Sequence, residues 1–140
     1  MRAITICQPW AELIVGGEKR VENRSWTTGY RGPLAIHAGR SRVWMEKCPD
    51  AVPADRELPF GAIVGLVDLV KVIRFSELES YSRNVPGYEW LRTHVYASGP
   101  LCWILANARR FERPIPWRGS QRLWNVPDRV IERAVCVASC

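Results

Sequence analysis

The segment 62–73, Ala-Ile-Val-Gly-Leu-Val-Asp-Leu-Val-Lys-Val-Ile, constrains the fold more than any other part of the chain. Val and Ile are stiff at the first side-chain torsion and pack well on a pleated surface, so the run is read as a strand. Its most apolar part, 61–67, is cut short by Asp68, far below the roughly 18–20 residues of a membrane span. No membrane partner is therefore expected. An isolated buried carboxylate is costly, so Asp68 either turns outward on a polar face or pairs with an arginine.

Shorter elements surround this strand. Ile4-Thr5-Ile6 reads as a strand that stops at Gln8-Pro9. Trp10, Leu13 and Ile14 have helical spacing, and Gly16-Gly17 ends that helix. Residues 21–26 read as extended, 33–38 as a strand, and 43–47 as a helical stretch before a Pro-rich loop. Short helices and turns follow over 75–91, then strands at 101–106 and 123–126. The segment 113–117 is interrupted by prolines and belongs at a sheet edge. Pro127-Asp128 opens a terminal helix with Val130, Ile131, Ala134 and Val135 on its apolar side. Five to six short strands with small helices between them predict an α+β, barrel-like domain. At 140 residues, one domain over 1–140 is expected.

Function classes narrow by what is missing. No G-x-G-x-x-G or G-x-x-x-x-G-K-[ST] loop occurs, so a nucleotide-cofactor enzyme is disfavoured and no cofactor is expected. No G-x-S-x-G is present to mark a serine hydrolase. The five cysteines (Cys7, Cys48, Cys102, Cys136 and Cys140) are odd in number and contain no C-x-x-C pair. Neither a disulfide framework nor a zinc site is expected, although Cys136 and Cys140 could share a helix face. The start of the chain lacks the apolar core of a secretory signal. A reducing, cytoplasmic setting and a monomer are expected.

Charge is more informative. The net charge is +6. Residues 18–42 carry six Lys/Arg against two acids, and residues 105–133 carry seven Arg against three. The stretch between them, 43–104, is slightly acidic, with six basic and eight acidic residues. All but one of the thirteen basic residues in the two positive segments are arginine. Arginine suits bidentate contact with phosphates and stacking on bases, so polyanion binding is one reading. A solvated basic surface without a partner is the other.

The segment Gly17-Glu18-Lys19-Arg20-Val21-Glu22-Asn23-Arg24-Ser25-Trp26 gathers the chemistry. If 21–26 is extended, Glu22, Arg24 and Trp26 share a face. A carboxylate, a guanidinium fork and a large ring can read a base edge, hold a phosphate and stack. Lys19 could approach the same spot. The alternative is an edge strand with an exposed ion pair and a tryptophan half in the core.

In order, Ile6-Cys7-Gln8-Pro9-Trp10-Ala11, the segment Gly17 to Trp26 above, and Tyr30-Arg31-Gly32-Pro33-Leu34-Ala35-Ile36-His37-Ala38 resemble the ASCH domain family. The likeness continues in Gly61-Ala62-Ile63-Val64-Gly65-Leu66-Val67-Asp68-Leu69 and Arg122-Leu123-Trp124-Asn125-Val126. It spans nearly the whole chain and is thinnest at 40–60 and 80–100. The resemblance implies a PUA-like β-barrel with a cleft lined by the G-x-K-x-x-E-x-R segment. It also implies binding of RNA or another nucleic acid. Some small bacterial relatives are amidohydrolases that deacetylate acetylcytidine, and a ribonuclease activity has been assigned to another. In the amidohydrolases the matching segment supplies a Lys and a Thr, with a catalytic Glu elsewhere. Lys19 matches the Lys, Glu22 stands at the Thr position, and no residue here aligns with the remote Glu.

The expected function is therefore binding of RNA, a single-stranded nucleic acid or a modified nucleoside in a basic cleft. Lys19 and Arg24 are expected to hold phosphate or a base carbonyl. Glu22 would accept from an exocyclic amine or act as general base, and Trp26 would stack or support the wall. Arg31, His37, Trp10 and Trp124 complete the expected site, with no metal. Two alternatives stay open. One is an amidohydrolase acting on an acylated nucleoside through Lys19 and Glu22. The other is a protein-interaction module whose basic face meets an acidic partner.

Overall fold

The computed structural model describes residues 1–138, with side chains through Cys136. Cys140 lies outside the described residues, so its pairing with Cys136 on a helix face does too. Cys7, Cys48, Cys102 and Cys136 carry free thiols.

Six strands form one curled sheet: β1 (Arg2–Ile6), β2 (Val21–Arg24), β3 (Gly32–Ala38), β4 (Ala62–Arg74), β5 (Leu101–Pro116) and β6 (Leu123–Asn125). Their order across the sheet is β2-β5-β4-β3-β1-β6. Only the β1–β3 pair is parallel. Among the described residues four α-helices accompany it: α1 (Trp10–Val15), α2 (Val43–Lys47), α3 (Leu78–Asn84) and α4 (Asp128–Ala138). The architecture is α+β, as expected, with the barrel left as an open half-barrel. No helix among the described residues is long and apolar enough to cross a membrane.

The 62–73 run becomes the central part of the sheet, flanked by β5 along its length and by β3 from Ala62 to Leu69. The β4–β5 register slips near Gly65, Val67 and Val70, which lets two long strands curl rather than lie flat. Gly65 is where this curl brings backbones closest. A Cβ there would stand 2.3 Å from the Arg109 carbonyl oxygen and 2.8 Å from Val15 on α1. Asp68 resolves as a pair: its oxygens lie 3.3 Å from Arg109 Nη2 and 2.7 Å from Asn107 Nδ2.

Period two divides the apolar residues between the sheet's faces. Ile4, Ile6, Leu34, Ile36 and Leu69 close on α1 and Trp103. Ala3, Ala35, Ile63, Leu66 and Phe111 meet Val126 and Ile131 at the start of α4. A third cluster packs Val21, Ile73, Cys102 and Ile104 beneath Leu78 and Leu91. On α4, Val130 and Ala134 join the second cluster, whereas Val135 is 41% exposed.

The strand expected at 101–106 and the edge segment expected at 113–117 join in one strand, β5, which ends at Pro116. Beyond Ile104, β5 pairs with β4 alone, so Pro114 and Pro116 disrupt no ladder on the other flank. The prolines do mark an edge, but of a longer strand.

Candidate nucleic-acid-binding cleft

Gln8-Pro9-Trp10 is the first device that builds the site. Gln8 is fully buried, its Oε1 accepts the Glu12 N–H at 2.9 Å, and its Nε2 donates to the Pro59 carbonyl at 2.9 Å. It thereby caps α1 and ties it to the 40–60 connection. Buried Glu12 holds the same region: its Oε1 lies 2.9 Å from Arg56 Nε and 2.6 Å from Arg110 Nη2. Both contacts are ionic rather than aligned hydrogen bonds.

The glycine pair is the second device. Gly17 has φ +88°, a conformation glycine adopts freely. The chain reverses there, and the Lys19 N–H returns to the Leu13 carbonyl at 2.9 Å. This puts Lys19 under the sheet edge, only 5% exposed. Its Nζ donates to the Val21 carbonyl and, at 2.9 Å, to Glu22 Oε1. Glu22 and Arg24 share a face of β2, and Arg24 Nη2 and Nε reach Glu22 Oε2 at 2.9 and 3.2 Å. The same Nη2 donates to the Thr5 carbonyl at 3.1 Å, bridging β2 to β1 across the open side of the sheet. The Asn23 N–H also donates to Glu22 Oε1.

Glu22 is thus a buried carboxylate with both oxygens engaged. Burial pushes its pKa up, but the Lys19 ammonium and the Arg24 guanidinium outweigh that and hold it below the usual carboxylate range. Such a group is a weak base and has little acceptor capacity left for a ligand. Donors remain instead: the third N–H of Lys19, and the Nη1 N–H groups of Arg24, which no described atom accepts.

These residues floor a cleft of about 460 Å³, within the usual range for ligand sites. Trp10, Trp44 and Tyr96 wall it, with Trp10 edge-on to Trp44 at 6.1 Å and to Tyr96 at 6.0 Å. Asn23 fixes the far rim: its Nδ2 donates to the Tyr96 carbonyl at 2.8 Å, while Oδ1 accepts from the Ser98 and Gly99 N–H groups. Lys19, Glu22, Arg24 and Trp10 are therefore together, as the sequence suggested. Trp44, Tyr96 and Asn23 were not anticipated. Trp44 left no sequence signal: only the structure shows that α2 buries none of its residues. The 95–98 loop left none.

Four expected members stand elsewhere. Trp26 is off the shared face because β2 ends at Arg24, where its partner β5 begins at Leu101. The chain then leaves the sheet, and the Trp26 ring packs edge-on against Trp103 at 4.8 Å. Arg31 donates to the Thr28 and Tyr30 carbonyls of its own turn. His37 and Trp124 lie on the opposite side of β1. His37 Nε2 is 2.7 Å from the Trp117 carbonyl, which can only accept, so Nε2 carries the proton. Its Nδ1 then accepts from the Thr5 hydroxyl at 3.2 Å, which accepts in turn from Trp124 Nε1 at 3.2 Å. Every polar atom of that chain is satisfied.

Burial lowers the pKa of His37, with a smaller push from Arg40 against the raising effect of the Trp117 carbonyl. His94, which accepts the Arg20 N–H at 3.0 Å, is lowered by burial and then by Arg20 and Lys19. With folded values below about 6.5, the unfolded chain takes up protons first as pH falls. Their stability contribution is thus complete above that value and is lost as pH drops through the folded values. The melting midpoint is expected to fall between pH 7 and pH 5, and a His37→Gln/His94→Gln chain should lose less over that window. A wild-type midpoint that is flat across it would refute this.

Comparison with known proteins agrees with the fold. The ASCH domain model matches residues 4–115. Activating signal cointegrator 1 from human and from mouse are each 24% identical over 142 residues, covering 94% of this chain. The chain spans 23% of the length of those relatives. The crystal structure of ASCH from Zymomonas mobilis superposes with a TM-score of 0.58 at 18% identity, over 97% of this chain and 94% of that one. A substituted form of the same protein gives 0.57 at 17%, over 97% and 96%. These likenesses concern the fold.

Proposed function

Because the chain belongs to the ASCH domain family, we propose that its cleft binds single-stranded RNA by taking in one unpaired base. The observation that carries this reading is the pairing of aromatic walls with a donor-rich floor. Trp10, Trp44 and Tyr96 line the space above Lys19 and Arg24. Aromatic rings stack on any base, and cationic donors match base carbonyls or phosphate oxygens. Glu22 has a different part from a ligand acceptor: it is a positioning residue that fixes both cations. Its engaged, weakly basic carboxylate also weighs against a hydrolase that would use Glu22 as general base.

The test is a titration with short single-stranded RNA at several salt concentrations. Binding should weaken with salt, with a log–log slope of about −0.7 for each phosphate neutralised. Trp10→Ala and Trp44→Ala should each weaken it by about 1–3 kcal/mol, roughly 5–150-fold. Trp44 is 39% exposed, so its variant should melt like the wild type. Absent or salt-indifferent binding overturns the reading. Turnover of acetylcytidine that disappears in Lys19→Ala would put the amidohydrolase in its place.

A further inference from the structure

A second groove, of about 550 Å³, lies on the other side of β1. Thr5, Gly39, Arg40, Gly61, Arg118 and Gly119 are among its lining residues. Its floor is closed to chemistry. The His37–Thr5–Trp124 chain satisfies its own polar atoms, and Gly119 backbone presses on it so closely that a Cβ would stand 2.6 Å from both His37 Cε1 and Thr5 Oγ1. What the groove offers is charge. Arg40 and Arg118 are exposed, and among the described residues neither has a carboxylate within ion-pair distance. Arg109, by contrast, pairs with Asp68, and Arg56 and Arg110 share the Glu12 carboxylate.

Two separate stretches of chain run from this groove into the aromatic cleft. On β1, Thr5 lines the groove while Ile6 and Cys7 line the cleft. After β3, Arg40 lines the groove and Trp44 the cleft. Thr5 to Cys7 is about 7 Å at the rise of a strand, so the two sites are neighbours.

We propose that the Arg40–Arg118 groove holds a backbone phosphate of the same single strand whose base occupies the cleft. The inference rests on the RNA-binding reading above and extends it from one base to a polynucleotide path.

The test compares Arg40→Ala/Arg118→Ala with Arg129→Ala/Arg133→Ala on α4. Both pairs are exposed and remove equal charge. Each is titrated with a mixed-sequence RNA octamer over a salt series. The groove variant should flatten the log–log slope by about 0.7 for each phosphate it no longer neutralises, while the α4 variant stays close to wild type. Equal slopes for the two variants overturn the groove and leave the cleft standing. No octamer binding by the wild type overturns both. Inorganic phosphate, titrated alone, is the remaining arm. If it raises the melting midpoint of the wild type but not of the groove variant, and the octamer slopes match, the groove is a free-anion site and the strand path is wrong.

Discussion

Glu22→Leu is expected to destabilise the chain by about 3–5 kcal/mol, the usual consequence of leaving a buried ion without its partner. Lys19 is 5% exposed and would keep only the Val21 carbonyl as acceptor, and Arg24 would lose both of its hydrogen bonds to Oε2. The loss should be asymmetric. Lys19→Met removes one donor from Glu22, but Arg24 and the Asn23 N–H still hold the carboxylate, so it should be milder. The double variant Lys19→Met/Glu22→Leu should recover most of the stability, because apolar groups of similar size often replace a buried pair without loss. Denaturant melts of the three chains decide it. A Glu22→Leu midpoint within about 1 kcal/mol of wild type would show that the pair is hydrated and that Glu22 does not organise the floor. The pH dependence has a definite sign. The lowered pKa of Glu22 means its contribution is present at neutral pH and lost as pH falls through the folded value.

Trp103→Ala should remove a comparable amount, about 3–5 kcal/mol, for a different reason. Trp103 is fully buried in the core cluster that α1 and the sheet share. In the ladder it stands opposite Glu22 on one side and Val72 on the other. Its Nε1 donates to the Trp26 carbonyl at 3.3 Å, and its ring carries that of Trp26. Truncation therefore leaves a cavity and loosens the chain beyond β2. Trp26→Ala should show a smaller loss of the same kind while RNA affinity in the folded fraction stays unchanged. Trp103→Phe, which keeps most of the ring volume, should fall between wild type and Trp103→Ala. Affinity lost in Trp26→Ala without any loss of stability would return Trp26 to the binding face.

Local signals carried much of this architecture. The β-branched run at 62–73 has to be a covered strand, and the alternation around Leu34 and Ile36 assigns their faces, because side-chain direction follows from a strand's period alone. Gly17 and the Lys19–Glu22–Arg24 spacing likewise act over a few residues. The tight reversal and the ion pairs lie within one turn and one short strand, so the sequence contained the floor of the cleft.

The walls were another matter. Where β2 stops depends on where β5 starts, which is a property of the partner strand 77 residues away in Arg24↔Leu101. That one boundary takes Trp26 off the cleft and sets it, half-buried, against Trp103. His37 and Trp124 were expected in the site, but they lie across β1 in a self-satisfied network, on the face to which Thr5 points and away from Ile6 and the cleft. Trp44 and Tyr96 come from connections whose local sequence sets no direction, and the Asn23 amide and the Gln8 cap hold them in place through contacts distant in sequence. Short-range periodicity thus determined the strands and the charged floor. The aromatic walls and the second groove were decided only when long-range pairing and sheet curvature placed those connections side by side.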